Sequence, residues 1–173
     1  MMKKFRWMII LAAVCMLIGC SSNIKDGVTY LEEENYEAAI SCFEEDIAEE
    51  KHLGDAYRGM GIAQYELGKY HEAIDSFENA LGNKEEPTAT IYTLMATCYL
   101  QEKEYESALD YYKKALGMKD CTEELKQEIL FNEIAIYQEL SDWETLKEKV
   151  ADYVKAYPED DRMDKTAEFL ETR

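Results

Sequence analysis

The chain has 173 residues, which is enough for one domain of ordinary size. Its 13 Tyr, eight Gly and two Pro, within a hydrophobic fraction of 47%, argue against disorder and against a strand-and-turn fold, so we expect a helical core. Thirty-seven acidic against nineteen basic residues give a net charge of -18, which repels phosphate backbones and excludes nucleic acid as an expected partner.

The N-terminal segment has the layout of a secretory leader. Lys3, Lys4 and Arg6 form a basic start without an acid, and the twelve residues 7–18 carry no charge. Twelve residues rise only about 18 Å as a helix, short of the roughly 30 Å hydrocarbon core of a bilayer, so a permanent spanning helix is the weaker interpretation. The alternatives are an uncleaved signal anchor and an ordinary leader that happens to contain a cysteine.

The apolar run ends in Leu17-Ile18-Gly19-Cys20, which resembles the lipobox of bacterial lipoproteins. The resemblance implies a signal peptide at residues 1–19, a diacylglyceryl group on the Cys20 sulfur, and a short tether at residues 20–23. Two or three acyl chains hold a protein stably on a bilayer, whereas one holds it only marginally. We therefore expect lipid anchoring to the cell membrane on its extracytoplasmic side, at the outer surface or in the periplasm.

A six-residue phrase recurs along the rest of the chain at intervals of 34 and 35 residues, and its copies begin at Asn35, Lys69 and Glu104. An aromatic residue follows the second small residue of each phrase by one helical turn on the same face: Phe43, Phe77 and Tyr112. A small residue stands in a helical segment upstream of each phrase: Gly27, Gly61 and Ala96. Each period therefore predicts two helices.

This pattern resembles the tetratricopeptide repeat, in which an aromatic, Leu-Gly and Tyr are followed by Ala, Phe or Tyr, and a late Ala. The match is strong in residues 54–87 and 89–122, through Tyr57, Met60-Gly61, Ala73, Phe77, Ala80-Leu81, Tyr92, Met95-Ala96, Tyr99, Ala108, Tyr112 and Ala115-Leu116. Small residues let the paired helices approach, and large rings fill the space toward the next repeat.

The other two repeats depart from the pattern. The first, at residues 20–53, has Asp46 where the late alanine is usual. The fourth, at residues 127–160, is degenerate, because Trp143 replaces the repeated Tyr and Leu146 the alanine. The resemblance implies an all-α fold over residues 24–173: a right-handed superhelix of antiparallel helix pairs, an α-solenoid, with three clear repeats, one degenerate repeat and a C-terminal capping helix at 161–173.

In that family the first helices of the repeats line a concave groove where peptides or partner helices dock. By the resemblance, the residues expected on this face include Val28, Leu31, Arg58, Ile62, Tyr65, Thr93, Thr97, Leu100, Phe131 and Gln138. Repeat domains that clamp the terminal carboxylate of chaperones line the groove with Lys and Asn, whereas Arg58 is almost the only cation expected on this face. A chaperone carboxylate is therefore a disfavoured partner. The acidic rims favour a basic or neutral protein segment as the partner.

Catalytic and metal-binding patterns are missing from the sequence. The chain has two histidines, His52 and His71, and neither GxSxG nor HExxH nor a glycine-rich phosphate loop. Cys42, Cys98 and Cys121 form an odd set without a CxxC spacing. We therefore expect that the protein is not an enzyme and that it binds neither a cofactor nor a metal ion.

The sequence predicts a scaffold or adaptor of the bacterial cell envelope that binds other proteins. The alternative is a component of a machine that assembles outer-membrane proteins, pili or secretion channels. A glycan-binding or enzymatic lipoprotein is the weaker alternative, and the residues do not choose among these roles.

Overall fold

The structure, a computed structural model, describes residues 24–171, so the leader, Cys20 and the tether lie outside the described residues. Within 24–171 the chain forms α-helices and one short 3-10 helix, and no strand. The α-helices are α1 Ile24–Glu32, α2 Tyr36–Ala48, α3 Leu53–Glu66, α4 Tyr70–Gly82, α5 Ala89–Gln101, α6 Tyr105–Leu116, α7 Glu123–Glu139, α8 Trp143–Ala156 and α9 Asp164–Glu171. The 3-10 helix is Asp161–Met163.

The turn inside each helix pair uses one residue in the left-handed region at the same place. These residues are Glu34, Gly68, Lys103 and Ser141, with φ of 57°, 71°, 62° and 55°. The second repeat alone of these four uses glycine, which adopts this conformation without a steric penalty. Several helix starts are capped as well: Thr88 accepts a hydrogen bond from the Ile91 amide, and Thr122 from the Leu125 amide, both at 3.2 Å.

The described residues divide after Glu85 into two compact units, residues 24–85 and 86–171. In the first unit, helices α1 to α4 enclose a core of Ala39, Phe43, Ala56 and Ala63. The Phe43 ring lies against two glycines, Gly27 of α1 and Gly59 of α3, where a Cβ atom would overlap the ring. Small residues and one large ring thus bring three helices together, as the repeat pattern predicts.

The second unit, α5 to α9, has two apolar clusters. One contains Ala96, Ala108, Tyr112, Ala115, Ile129 and Ile136. The other contains Ile134, Leu146, Val150, Tyr153, Met163 and Leu170, so α9 packs on α8 through Leu170. The helix predicted to cap the fourth repeat is therefore present, and it covers part of the outer side of α8.

The all-helical fold of paired helices is confirmed. None of the helices between residues 24 and 171 is both long enough and apolar enough to cross a membrane.

Candidate protein-binding surfaces

Five of the residues predicted to face a partner lie in the first unit, and one of them, Val28 of α1, is exposed. Arg58, Ile62 and Tyr65 share one face of α3, because they are spaced by four and three residues, and all are half-buried. Leu31 of α1 is half-buried against the Phe43 cluster. The Tyr65 ring meets the ring of Tyr70 edge-on at a centroid distance of 6.1 Å.

Arg58 is held by carboxylates of its own unit. Its guanidinium lies 2.7 Å from Asp55 and 2.8 Å from Glu85. Its charge is therefore compensated within the unit.

Three more predicted residues, Thr93, Thr97 and Leu100, follow one face of α5. Thr93 is buried, and its hydroxyl donates to the Ala89 carbonyl oxygen at 2.8 Å. Thr97 donates to the Thr93 carbonyl oxygen at 2.9 Å and lies 3.1 Å from the Tyr112 hydroxyl. Leu100 is half-buried against the Tyr112 cluster. Thr93 therefore offers little surface to a partner, while Thr97 and Leu100 remain partly accessible.

The last two predicted residues lie on α7 in different surroundings. The Arg162 guanidinium stacks over the Phe131 ring, 4.1 Å from its centroid, and covers one face of it. Gln138 is exposed and lines a cavity of about 350 Å³ with Trp143, Leu146, Lys165, Thr166 and Phe169. Phe131 is thus engaged within its unit, whereas Gln138 borders open space.

A polar network around Asp160 ties the loop after α8 to the start of α7. The Asp160 carboxylate accepts hydrogen bonds from Arg162 at 2.8 Å, from Gln127 at 2.6 Å and from the Tyr153 hydroxyl at 2.5 Å. Arg162 also reaches Glu128, at 3.0 Å. The Arg162 guanidinium first, and then the Tyr153 hydroxyl, hold the pKa of Asp160 well below its ordinary value.

Comparison with known proteins agrees with this geometry. Residues 58–120 match the tetratricopeptide repeat family. These residues are tetratricopeptide repeats. The chain is also 31% identical over 103 residues to the transcription factor tau 131 kDa subunit of Saccharomyces cerevisiae, an overlap of 60% of this chain and 10% of that protein. The matched region is thus a tenth of that relative's length.

Three solved structures share the fold. MamA AMB-1 has a TM-score of 0.68 at 15% identity, covering 84% of this chain and 77% of its own. YrrB, described as a tetratricopeptide repeat protein with an unusual peptide-binding site, has a TM-score of 0.66 at 17% identity, covering 84% and 74%. Pseudomonas aeruginosa PilF has a TM-score of 0.61 at 20% identity, covering 82% and 64%.

The tetratricopeptide pattern also shows where charge is buried. Asp46 occupies the place that Ala80 and Ala115 hold in the next two repeats; its side chain is 1% exposed, and neither carboxylate oxygen has a hydrogen-bond partner. In the fourth repeat, Glu133 is 6% exposed and accepts a hydrogen bond from the Lys149 ammonium at 2.7 Å. One buried acid is therefore paired and the other is not.

Reactive groups within the tetratricopeptide helices are dispersed. Among residues 24–171, no three His, Cys, Asp or Glu side chains are grouped to hold a metal ion. His52 and His71 are exposed. Burial, and then the nearby Glu102 carboxylate, raise the pKa of the Cys98 thiol to about 12, so this thiol stays protonated at neutral pH and packs as a small apolar group.

The sequence did not reveal the Asp160 network or the Glu133–Lys149 pair. Both join residues far apart in the chain, and neither follows the repeat pattern. The signal available was the departure of the fourth repeat from the tetratricopeptide consensus, since a degenerate repeat needs other contacts to hold its helices.

Proposed function

We propose that this chain is a protein-binding scaffold or adaptor of the bacterial cell envelope, held to the membrane by a lipid on Cys20. The observation that carries the binding role is the pair of regular faces on the first helices. Ile62 and Tyr65 on α3, and Thr97 and Leu100 on α5, are neither fully buried nor fully exposed. Of these, Ile62, Tyr65 and Leu100 are half-buried apolar side chains, which serve as anchors when an extended segment or helix docks.

The lipid anchor is supported by the Leu17-Ile18-Gly19-Cys20 motif. It also fits the charge of the chain, because a net charge of -18 cannot hold a protein to anionic headgroups. We expect Cys20→Ala to release the protein from the membrane fraction and to block processing at residue 19. Unchanged processing and membrane association of Cys20→Ala would remove the anchor from the proposal.

The binding role is tested by gentle crosslinking of the tagged full chain in its native membrane, followed by detergent extraction. Tyr65→Ala and Leu100→Ala shorten one anchor in each unit. Glu78→Ala and Glu106→Ala, on exposed positions of second helices, are the matched controls. We expect a discrete partner that co-purifies with the wild type and the controls and is lost from the anchor variants, while circular dichroism shows the same helix content. A partner retained by both anchor variants would contradict binding on these faces.

The alternative within this class is a component of an outer-membrane, pilus or secretion assembly machine. This alternative uses the same half-buried anchors on the first helices, and differs from the adaptor role in the kind of protein that binds there. The identity of the co-purified protein separates the two: an envelope assembly protein supports the machine, and a membrane enzyme or wall-active protein supports the adaptor.

A further inference from the structure

The turn between α7 and α8 presents an apolar surface to solvent. Among the described residues, the large hydrophobic side chains that are exposed are Val28 at 42%, Leu140 at 46%, Trp143 at 50% and Phe169 at 43%. The Trp143 and Phe169 rings are 6.5 Å apart between centroids and line one cavity, whereas Leu140 lines another cavity together with Tyr105. We call Trp143 and Phe169 the Trp143 surface.

The equivalent residues of the other repeats are less open. Tyr36, Tyr70 and Tyr105 hold the place of Trp143, and all three are half-buried. Tyr105 shares the lining of a cavity of about 310 Å³ with Leu140 of the following turn. Within the second unit, the turn of one repeat thus reaches the aromatic residue of the previous one. After α8 the described residues contain only the short 3-10 helix and α9, and no further helix pair whose turn could cover Trp143. Trp143 is therefore left 50% exposed.

The charge beside Trp143 is acidic. Every residue from 138 to 144 is exposed, and this run includes Glu139, Asp142 and Glu144. Glu168 stands next to Phe169 on α9 and is also exposed. The lining of the adjoining cavity contributes a single cation, Lys165. Lys147, one turn after Trp143 on α8, is a second cation nearby. The four carboxylates outnumber these two ammonium groups, which gives this surface a negative potential that attracts cations.

Other rings of the second unit are already covered by cations of the chain. Lys114 lies 4.0 Å from the centroid of Tyr111, and Arg162 lies 4.1 Å from that of Phe131. No cation of the described residues lies over the Trp143 ring, although indole is the side chain that binds cations best through its face.

We infer that the Trp143 surface binds a basic segment of a partner protein. A Lys or Arg side chain of that segment stacks on the Trp143 ring, its charge lies among Glu139, Asp142 and Glu144, and its aliphatic stem covers the Phe169 ring. The inference rests on the proposed scaffold role and adds to it a second docking surface, which shares no residue with the anchors Tyr65 and Leu100.

The test uses intrinsic fluorescence. The chain has two tryptophans, and Trp7 lies in the proposed leader, so Trp143 is the indole reporter of the processed protein, purified in a non-ionic detergent. Trp7→Phe removes the second indole from any unprocessed chain. The probe is a synthetic twelve-residue amphipathic peptide of Arg, Leu and Ala, compared with the same peptide carrying Glu in place of Arg. We expect the Arg peptide to change the Trp143 emission saturably, with an affinity that falls as salt is added, and the Glu peptide to leave it unchanged.

Matched variants separate this site from general attraction to an acidic protein. Glu139→Gln with Glu144→Gln should weaken Arg-peptide binding by about tenfold, because charges close to the bound cation are removed. Glu44→Gln with Glu78→Gln changes the net charge equally on exposed positions of the first unit, and should leave the affinity within about twofold. Equal weakening in both double variants, an absent response, or an equal response to the Glu peptide overturns the inference.

Two other occupants give distinct results. If phosphatidylcholine vesicles alone change the Trp143 emission as much as the Arg peptide does, the surface faces a lipid headgroup region and the inference is wrong. If the wild type forms a concentration-dependent dimer in sedimentation that Trp143→Leu abolishes, the surface pairs two copies of this chain, and the inference is again wrong. Loss of the cellular partner in Tyr65→Ala, together with an absent peptide response, refutes this inference and leaves the scaffold role standing.

Discussion

The two units bury charge in different ways. In the first unit, Asp46 is 1% exposed and its carboxylate has no hydrogen-bond partner, where the next repeat has Ala80. In the second unit, Glu133 is paired with Lys149 at 2.7 Å. A buried polar group without a partner lowers stability, whereas a paired one is close to neutral. The first unit therefore depends more heavily on the fit of its apolar packing, above all on the glycines around Phe43.

That dependence is tested most strongly at Gly59. A Cβ atom there would lie 2.7 Å from Cε2 of the Phe43 ring, so Gly59→Ala forces the ring or a helix to shift. We expect a loss of about 3 kcal/mol in the free energy of unfolding, measured by urea denaturation. Gly82→Ala is the control, because a Cβ atom at Gly82 meets nothing within 4 Å. Equal stability of the two variants would contradict the account of the first core.

The unpaired carboxylate should give an effect of opposite sign. Asp46→Ala restores the residue found at the equivalent place in the next two repeats and removes a buried carboxyl group that has no hydrogen-bond partner. We expect it to raise the free energy of unfolding by about 2 kcal/mol, seen as a higher urea midpoint. Glu45→Ala removes a neighbouring exposed charge and should have little effect. A destabilised Asp46→Ala protein would show that the carboxylate has a stabilising contact.

The second unit should respond to acid through Asp160. Hydrogen bonds from Arg162 and Tyr153 depress the pKa of its carboxyl in the folded state. The carboxylate therefore adds stability above its unfolded pKa of about 3.9, and this stability is lost as the pH falls through the folded value.

Asp160→Asn should accordingly lower the urea midpoint at pH 7, and its difference from the wild type should narrow in solutions below about pH 4. Asp161→Asn, at the exposed neighbouring position, is the control and should follow the wild type at every pH. A difference between Asp160→Asn and the wild type that stays constant from pH 7 to pH 3 would contradict a charged role for Asp160.

The smallest expected effect compares the turns of the two units. Lys103 has a φ of 62° where Gly68, in the first unit, has a φ of 71°. Lys103→Gly should stabilise the protein by about 0.5–1 kcal/mol, and Gly68→Ala should destabilise it by a similar amount, both measured as shifts of the thermal midpoint. Shifts of the same sign in both variants would mean that side-chain contacts, and not backbone conformation, decide these turns.

Much of the fold was predictable from the residues. The recurrence of small residues and of Phe43, Phe77 and Tyr112 predicted helix pairs and most of the core, because each ring fills a gap left by small neighbours. All three rings are fully buried. Because this periodicity arises from contacts between residues close in the chain, it can be recognised in a single sequence.

The candidate surfaces were less predictable. The resemblance to the repeat family implies Thr93 on the binding face, and the structure shows Thr93 buried, with its hydroxyl donating to the Ala89 carbonyl oxygen. The repeat pattern identifies Trp143 as a substitute for the repeated tyrosine, but the exposure of its ring depends on how far α9 covers it. Contacts such as Gln127 with Asp160 join residues 33 positions apart, and no repeat pattern encodes them.

The setting of Phe43 between Gly27 and Gly59 has a consequence for motion. A phenyl ring that touches backbone from two helices turns about its Cβ–Cγ bond only when those helices separate. The two edges of the Phe43 ring should therefore give separate NMR signals that merge on warming. The rate of that exchange would report how often the first three helices separate, measured on a single aromatic side chain.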